Sequence, residues 1–138
     1  MYNFWLQLQV NGDYVHSELQ QLKLRFSDHS SARELFEDAK LKLYDIDVTG
    51  KDRAVYFYII NKCSFSGLTE SSSFSPQASD ANFSMRGIDK LPVYSKLIED
   101  WYITNVDYRH LLGDKEKTFI YLDPPYDCLL YTSPSPRD

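Results

Sequence analysis

Apolar and polar positions alternate along this chain in rhythms that change every fifteen or so residues. Residues 2–10, "YNFWLQLQV", are mostly apolar and aromatic, and read as the closing part of a helix whose start lies upstream. In "YVHSELQQLKLRF" (Tyr14–Phe26), Val15, Leu19, Leu22 and Phe26 recur at spacings of three and four. That spacing puts them on one face of an amphipathic helix. His16 and His29, near its ends, are expected to be exposed. "SARELFEDAKLKLYDI" opens with Ser31 and carries Glu34 three residues on, the spacing of a capping box. Leu35, Ala39 and Leu43 form its apolar face, and Glu37, Asp38, Lys40 and Lys42 its solvated one. "KDRAVYFYIINKCSF" (Lys51–Phe65) is apolar nearly all round. Its β-branched and aromatic content also suits a strand, but its length favours a helix buried on most sides.

Then the rhythm stops. "SFSGLTESSSFSPQASDANFSMRGIDKL" (Ser64–Leu91) has six serines between Ser64 and Ser75, with isolated rings at Phe65, Phe74 and Phe83. It reads as a long loop containing a hairpin at most, and loops of this length in compact domains are either functional or disordered. "PVYSKLIEDW" (Pro92–Trp101) restarts a helix with proline in its first turn. "YITNVDY" and "KTFIYL" read as two short strands separated by "RHLLGDKE". No internal repeat is visible.

Length and composition then narrow the class. With 138 residues, 43% of them hydrophobic and 15% aromatic, the chain is long enough for one modest domain with a core. No apolar run reaches bilayer length. The N-terminus lacks the basic region and cleavage site of a signal peptide, so a reducing cytoplasm is expected. Two cysteines, Cys63 and Cys128, are too few and too unpatterned for a disulfide framework or a zinc site. The net charge of −5 argues weakly against nucleic acid, but its distribution does not. Residues 1–50 carry −3 and residues 99–138 carry −4, whereas residues 51–98 carry +2. A phosphate backbone would meet the chain in that middle third. The final eleven residues, "CLLYTSPSPRD", follow no period and resemble the translation of a sequencing adapter. They are expected to lie outside the natural chain, which would continue differently after Asp127.

The densest chemistry is "TFIYLDPPYD" (Thr118–Asp127). Phe119 to Leu122 suit a strand buried on both faces of a parallel sheet. Ligands in open α/β sheets bind beyond the carboxyl ends of strands, where Asp123 would stand. Pro124 and Pro125 have no N–H, so they stop the ladder and stiffen the chain while their carbonyls stay free to accept. Tyr126 adds a flat ring. Acceptors beside a stacking platform complement a planar heterocycle with an amino group, although an ordinary proline turn after a strand is nearly as good a reading of the four residues alone. Stacking a base on such a ring is worth about 1–3 kcal/mol.

This D-P-P-Y resembles motif IV of the amino-methylating DNA methyltransferases. "RAVYFYIINKCSFSGL" (Arg53–Leu68) is similar to the "LFLYLNR-x-x-(F/Y)-N-G-L" stretch of the Dam-type adenine enzymes, with Asn61, Phe65, Gly67 and Leu68 matching directly. "NFSMRGIDKLPVYSKL" is similar to their "FNVPFG" segment and following helix, and "NVDYRHLL" to the stretch before motif IV. The resemblance runs from about Tyr2 to Tyr126. It implies an α/β fold: a Rossmann-like sheet that holds S-adenosylmethionine, with a mainly helical target-recognition insert. Residues 1–50 would be the helical segment after the cofactor motif, 51–98 the target-recognition region, and 99–127 the strand pair carrying D-P-P-Y. The implied partner is double-stranded DNA, met by Lys62, Phe65, Ser66, Gly67, Leu68 and Arg86. The implied catalytic set is Asp123, Pro124, Pro125 and Tyr126. Asp107, with Asp123, would contact the cofactor. Adenine would be flipped from the duplex at a cost of a few kcal/mol. Asp123 and the Pro124 carbonyl would accept its N6 hydrogens and aim the nitrogen's lone pair at the methyl donor, without a metal or a covalent intermediate.

Two departures qualify the resemblance. Glu70 stands where the Dam-type enzymes carry a guanine-reading arginine, so a different recognition sequence is expected. The F-x-G-x-G cofactor loop, which should precede Tyr2, is not in the sequence; the chain is therefore expected to be a fragment, inactive by itself. Two alternatives stay open: a non-catalytic DNA-binding or regulatory module, and an enzyme acting on cytosine N4 or another amine, whose families favour S-P-P-Y or N-P-P-Y.

Overall fold

The computed structural model describes residues 1–67, 72–111 and 119–121, and the chain divides into two units, Met1–Asn105 and Val106–Asp138. The first unit is helical. Its elements are α1 (Tyr2–Val10), α2 (Gly12–Arg25), α3 (His29–Leu43), α4 (Gly50–Cys63), α5 (Pro76–Ala81), α6 (Met85–Ile88) and α7 (Leu91–Leu97), with a 3₁₀ turn at Phe65–Gly67.

The all-round apolar helix takes the centre. α1, α2, α3 and α5 all pack on α4, which buries Ala54, Val55, Tyr58, Ile59, Ile60 and Cys63. The amphipathic stripes close around it as their spacing requires: Val15 and Leu19 of α2, with Leu35, Ala39 and Leu43 of α3, are buried, and Leu22 and Phe26 are partly so. α3 also buries Ala32 and Phe36, widening its apolar face beyond the three residues the spacing marked. Full burial of one such side chain is worth about 1.5–3 kcal/mol. α7 returns to the start of α2, where a β-carbon on Gly12 would collide with Ser95. Ser95 Oγ donates to the Leu8 carbonyl at 2.8 Å and locks that contact.

α2 and α4 begin within two residues of where the pattern put them, and the start of α3 differs in its cap. α3 begins at His29, two residues before Ser31, capped by Asp28, whose carboxylate accepts from the amides of Ser30 (2.9 Å) and Ser31 (3.1 Å). Ser31 Oγ is itself a donor to Asp28 at 2.7 Å, so it serves the cap instead of being one. A carboxylate satisfies two orphan amides at once and favours the positive end of the helix, which is why it displaces the serine. α4 is capped by Thr49. His29 is exposed as expected, with Nε2 3.1 Å from Asp80, but His16 is half-buried, 3.3 Å from Asp89.

The polar stretch 64–91 is not one loop. Ser75 caps α5 by accepting from the Ala78 amide, with Pro76 in the first turn, and Ser84 caps α6 by accepting from the Gly87 amide, both at 3.2 Å. Two of its three rings are anchors. Phe83 is fully buried, and Phe74 lies edge-on to Phe36 at 5.6 Å.

The expected Rossmann-like sheet does not occur among the described residues, which contain no strand and only an isolated antiparallel bridge between Ser64 and Phe74. The "YITNVDY" stretch is irregular through Asn105, and in the second unit Tyr108–His110 forms a 3₁₀ turn. Phe119, Ile120 and Tyr121 are neither in a strand nor buried. A strand's amides and carbonyls need a paired neighbour, and a parallel neighbour needs a long crossover, so β-forming composition does not make a strand by itself.

Candidate nucleic-acid interface

The C-terminal turn of α4 delivers the chain into the Phe65–Gly67 turn, and a short clasp closes the loop behind it. The Phe65 amide donates to the Ser73 carbonyl (3.2 Å) and the Ser75 amide to the Cys63 carbonyl (2.9 Å), on either side of the Ser64–Phe74 bridge. Gly67 has φ +67°, the left-handed region that only glycine enters freely. Asn61, on the last turn of α4, donates from Nδ2 to the Gly67 carbonyl at 2.7 Å. Phe65, unlike Phe74 and Phe83, faces solvent, with 68% of its surface exposed.

Two open grooves meet at Asn61, Lys62 and Asn82, and one of them reaches this turn. One, of about 450 Å³, is lined by Asn61, Lys62, Phe65, Gly67, Gln77 and Asn82 among others. The other, of about 370 Å³, shares Asn61, Lys62 and Asn82 and adds Trp5, Tyr58, Lys90 and Tyr94. Among the described residues, no carboxylate lines either groove. Lysine, amide and aromatic groups without an acid suit a polyanion that carries planar bases. Lys62 holds Nζ 5.6 Å from the centre of the Tyr58 ring, whose hydroxyl pKa is pushed up to about 12, chiefly by burial.

Of the residues expected to meet DNA, the structure therefore brings together Lys62, Phe65 and Gly67, with the backbone of Ser66 between them. Arg86 is exposed on α6 and lines neither groove, though its neighbour Gly87 does. Leu68 lies outside the described residues, as do Glu70, Asp123, Pro124, Pro125 and Tyr126. Asp107, in the second unit, is described. Its two carboxylate oxygens accept from Arg109, including a 2.6 Å bond from the guanidinium, and Oδ1 also caps the 3₁₀ turn. The Arg109 side chain, then its amide, holds the Asp107 pKa below the ordinary aspartate value. Sequence reasoning did not mark Asn82 or Lys90, and Asn61 only as a motif match. An amide or a lone lysine carries no spacing signal.

Other chemistry is muted. Cys63 is buried, and that burial pushes its thiol up to about 12, so it is not a nucleophile at neutral pH. Among the described residues, no three His, Cys, Asp or Glu side chains converge as a metal site.

The family model for D12 class N6 adenine-specific DNA methyltransferases matches residues 1–134. The chain belongs to that family. Adenine-N6 methylation of DNA is therefore its family's activity, and DNA the family's substrate. A search of curated proteins returns no match. Among the described residues of this D12-class chain, no helix is long and apolar enough to cross a membrane.

Proposed function

We propose that this chain serves site-specific methylation of adenine N6 in duplex DNA, with the target base extruded from the helix and S-adenosylmethionine as the methyl donor. The family match over residues 1–134 carries the reading. The solvent-facing Phe65, in one of two adjoining grooves that no described acid lines, supports it independently. In this reading Phe65 presses into the stack as the base leaves, and Gly67 allows the close approach. Lys62 and Arg86 meet phosphates, and Leu68 extends the apolar edge of the turn. Asp123 and the Pro124 carbonyl accept the N6 hydrogens, Pro125 holds the backbone stiff, and Tyr126 stacks on the base.

S-adenosylmethionine supplies an electrophilic methyl group. Asp107, the described acid assigned to it, accepts from Arg109 at both carboxylate oxygens, so that contact would require the exposed Arg109 side chain to swing aside. The part played by this chain's own residues is thus to bind, distort and orient the DNA and to position the amine.

The test is methyl transfer to DNA by the protein in its natural length, with Asp123→Ala beside the wild type. Transfer from labelled donor is expected to fall at least about a hundredfold, the usual scale for losing a group that acts in the transition state, while duplex binding stays within about twofold. An equal loss of both would make Asp123 a structural residue and remove it from the mechanism.

A further inference from the structure

Building on the DNA-contact reading, we infer that Asn61 is a positioning residue that presents Phe65 to the duplex. The turn has two supports of different kinds. The Ser64–Phe74 clasp and the Gly67 amide, which donates to the Ser64 carbonyl at 3.5 Å, tie the Phe65–Gly67 turn to its own loop. Asn61 adds a constraint that comes from the helix. Its amide reaches from α4 across six residues to the Gly67 carbonyl, while the Ser64 hydroxyl meets the Asn61 carbonyl at 3.4 Å. The Asn61 backbone belongs to the buried central helix, between Ile60 and Cys63, both of which have no exposed surface. The turn is thereby referenced to the core instead of to its own loop.

Gly67 is tuned to this contact from the other side. A β-carbon there would sit 3.3 Å from Asn61 Nδ2, and the positive φ disfavours any side chain. With both ends of the turn held, the Phe65 ring keeps 68% of its surface exposed and is presented from a fixed backbone. An aromatic wedge ordered before contact binds more tightly than one that must be ordered during it. Aspartate at position 61 would keep the size and lose the donor.

A double-mutant cycle on the 138-residue chain tests the inference. Affinity for a fluorescein-labelled duplex of mixed sequence is read by anisotropy at one fixed salt concentration for wild type, Asn61→Ala, Phe65→Ala and the double variant. Phe65→Ala is expected to weaken binding about tenfold, the scale of one lost stacking contact. Asn61→Ala should weaken it about fivefold with a melting temperature within about 5 °C of wild type, as for one net hydrogen bond. The double variant should bind no worse than Phe65→Ala alone. Gly67→Ala, which breaks the link from the other side, should reproduce Asn61→Ala and stands in if that variant does not fold, whereas Asn61→Asp, which also brings an acid into the groove, should bind no better than Asn61→Ala. Losses that multiply in the double variant, or an Asn61→Ala chain that binds like wild type while Phe65→Ala does not, would overturn the role of Asn61 alone. A wild-type chain with no duplex affinity would overturn the DNA-contact reading and this inference with it.

Discussion

The four-helix body and the serine-rich stretch that follows it are held by different forces. In the body, Leu8, Val15, Leu19, Phe36, Ile59 and Ile60 have no exposed surface, and helix meets helix along apolar stripes. In the stretch from Ser64 to Ile88, order comes from side-chain caps at Ser75 and Ser84, a two-bond clasp, one amide tether and two anchored rings. Hydrogen bonds exchanged with water are worth little each, whereas burial accumulates. The body therefore carries most of the stability, and the stretch, rooted in the same core by Phe83 and Ile88, carries a shape. A surface meant to meet a partner benefits from that division, because its residues can be specified for contact without weakening the core.

The sharpest way to break the contrast is Phe36→Ala. Phe36 is fully buried in α3 and also supports Phe74, so one cavity strikes both regions. A loss of about 3–5 kcal/mol is expected, read as a lower urea midpoint with exchange protection lost around Ser64 and Ser75. Retained protection there would mean that the clasp stands without its anchor.

Ser84→Ala probes the second region alone. Removing the α6 cap should cost about 1 kcal/mol, within the range for such caps and well below the Phe36 effect. A cost above that of Phe36→Ala would reverse the comparison.

The smallest effect lies in a polar link inside the body. The Tyr14 hydroxyl donates to Asp52, which also accepts from the Thr49 hydroxyl at 2.6 Å. The Asp52 bond, then burial, raises the Tyr14 pKa, so its contribution is present below the ordinary tyrosine value and is lost as pH rises through the folded one. Burial pulls Asp52 upward, but Thr49, Tyr14 and Lys51 outweigh it and hold the net value below the ordinary one. Its contribution is present above about pH 4 and is lost as pH falls through the folded value. Thermal melts should show a plateau between those limits. Tyr14→Phe should remove its share of the alkaline fall, at most about 1 kcal/mol for a link this open to water. An unchanged alkaline limb would assign that fall to other tyrosines.

Much of the body was legible because helix periodicity is a local property. The stripes of α2 and α3 and the continuous apolarity of α4 each name a helix and its burial without reference to anything else. The Asp28 cap and the short helices α5 and α6 were harder. A polar start signal competes with its neighbours, and a run of serines offers several. The proposed D-P-P-Y chemistry was legible only as a motif, through the resemblance that surrounds it.

By itself, the sequence determined which segments coil, which faces are greasy, where the positive third lies, and a family resemblance that the match over residues 1–134 bears out. Only the tertiary structure decided among Phe65, Phe74 and Phe83, three similar rings in one polar stretch, of which one is buried, one braced and one left in water. It also decided that Asn61 ties the turn to the core, and that the described "YITNVDY" residues form no strand. The reason is the same in each case. Burial, tethering and strand pairing depend on what comes close from far along the chain, and no local pattern records that partner.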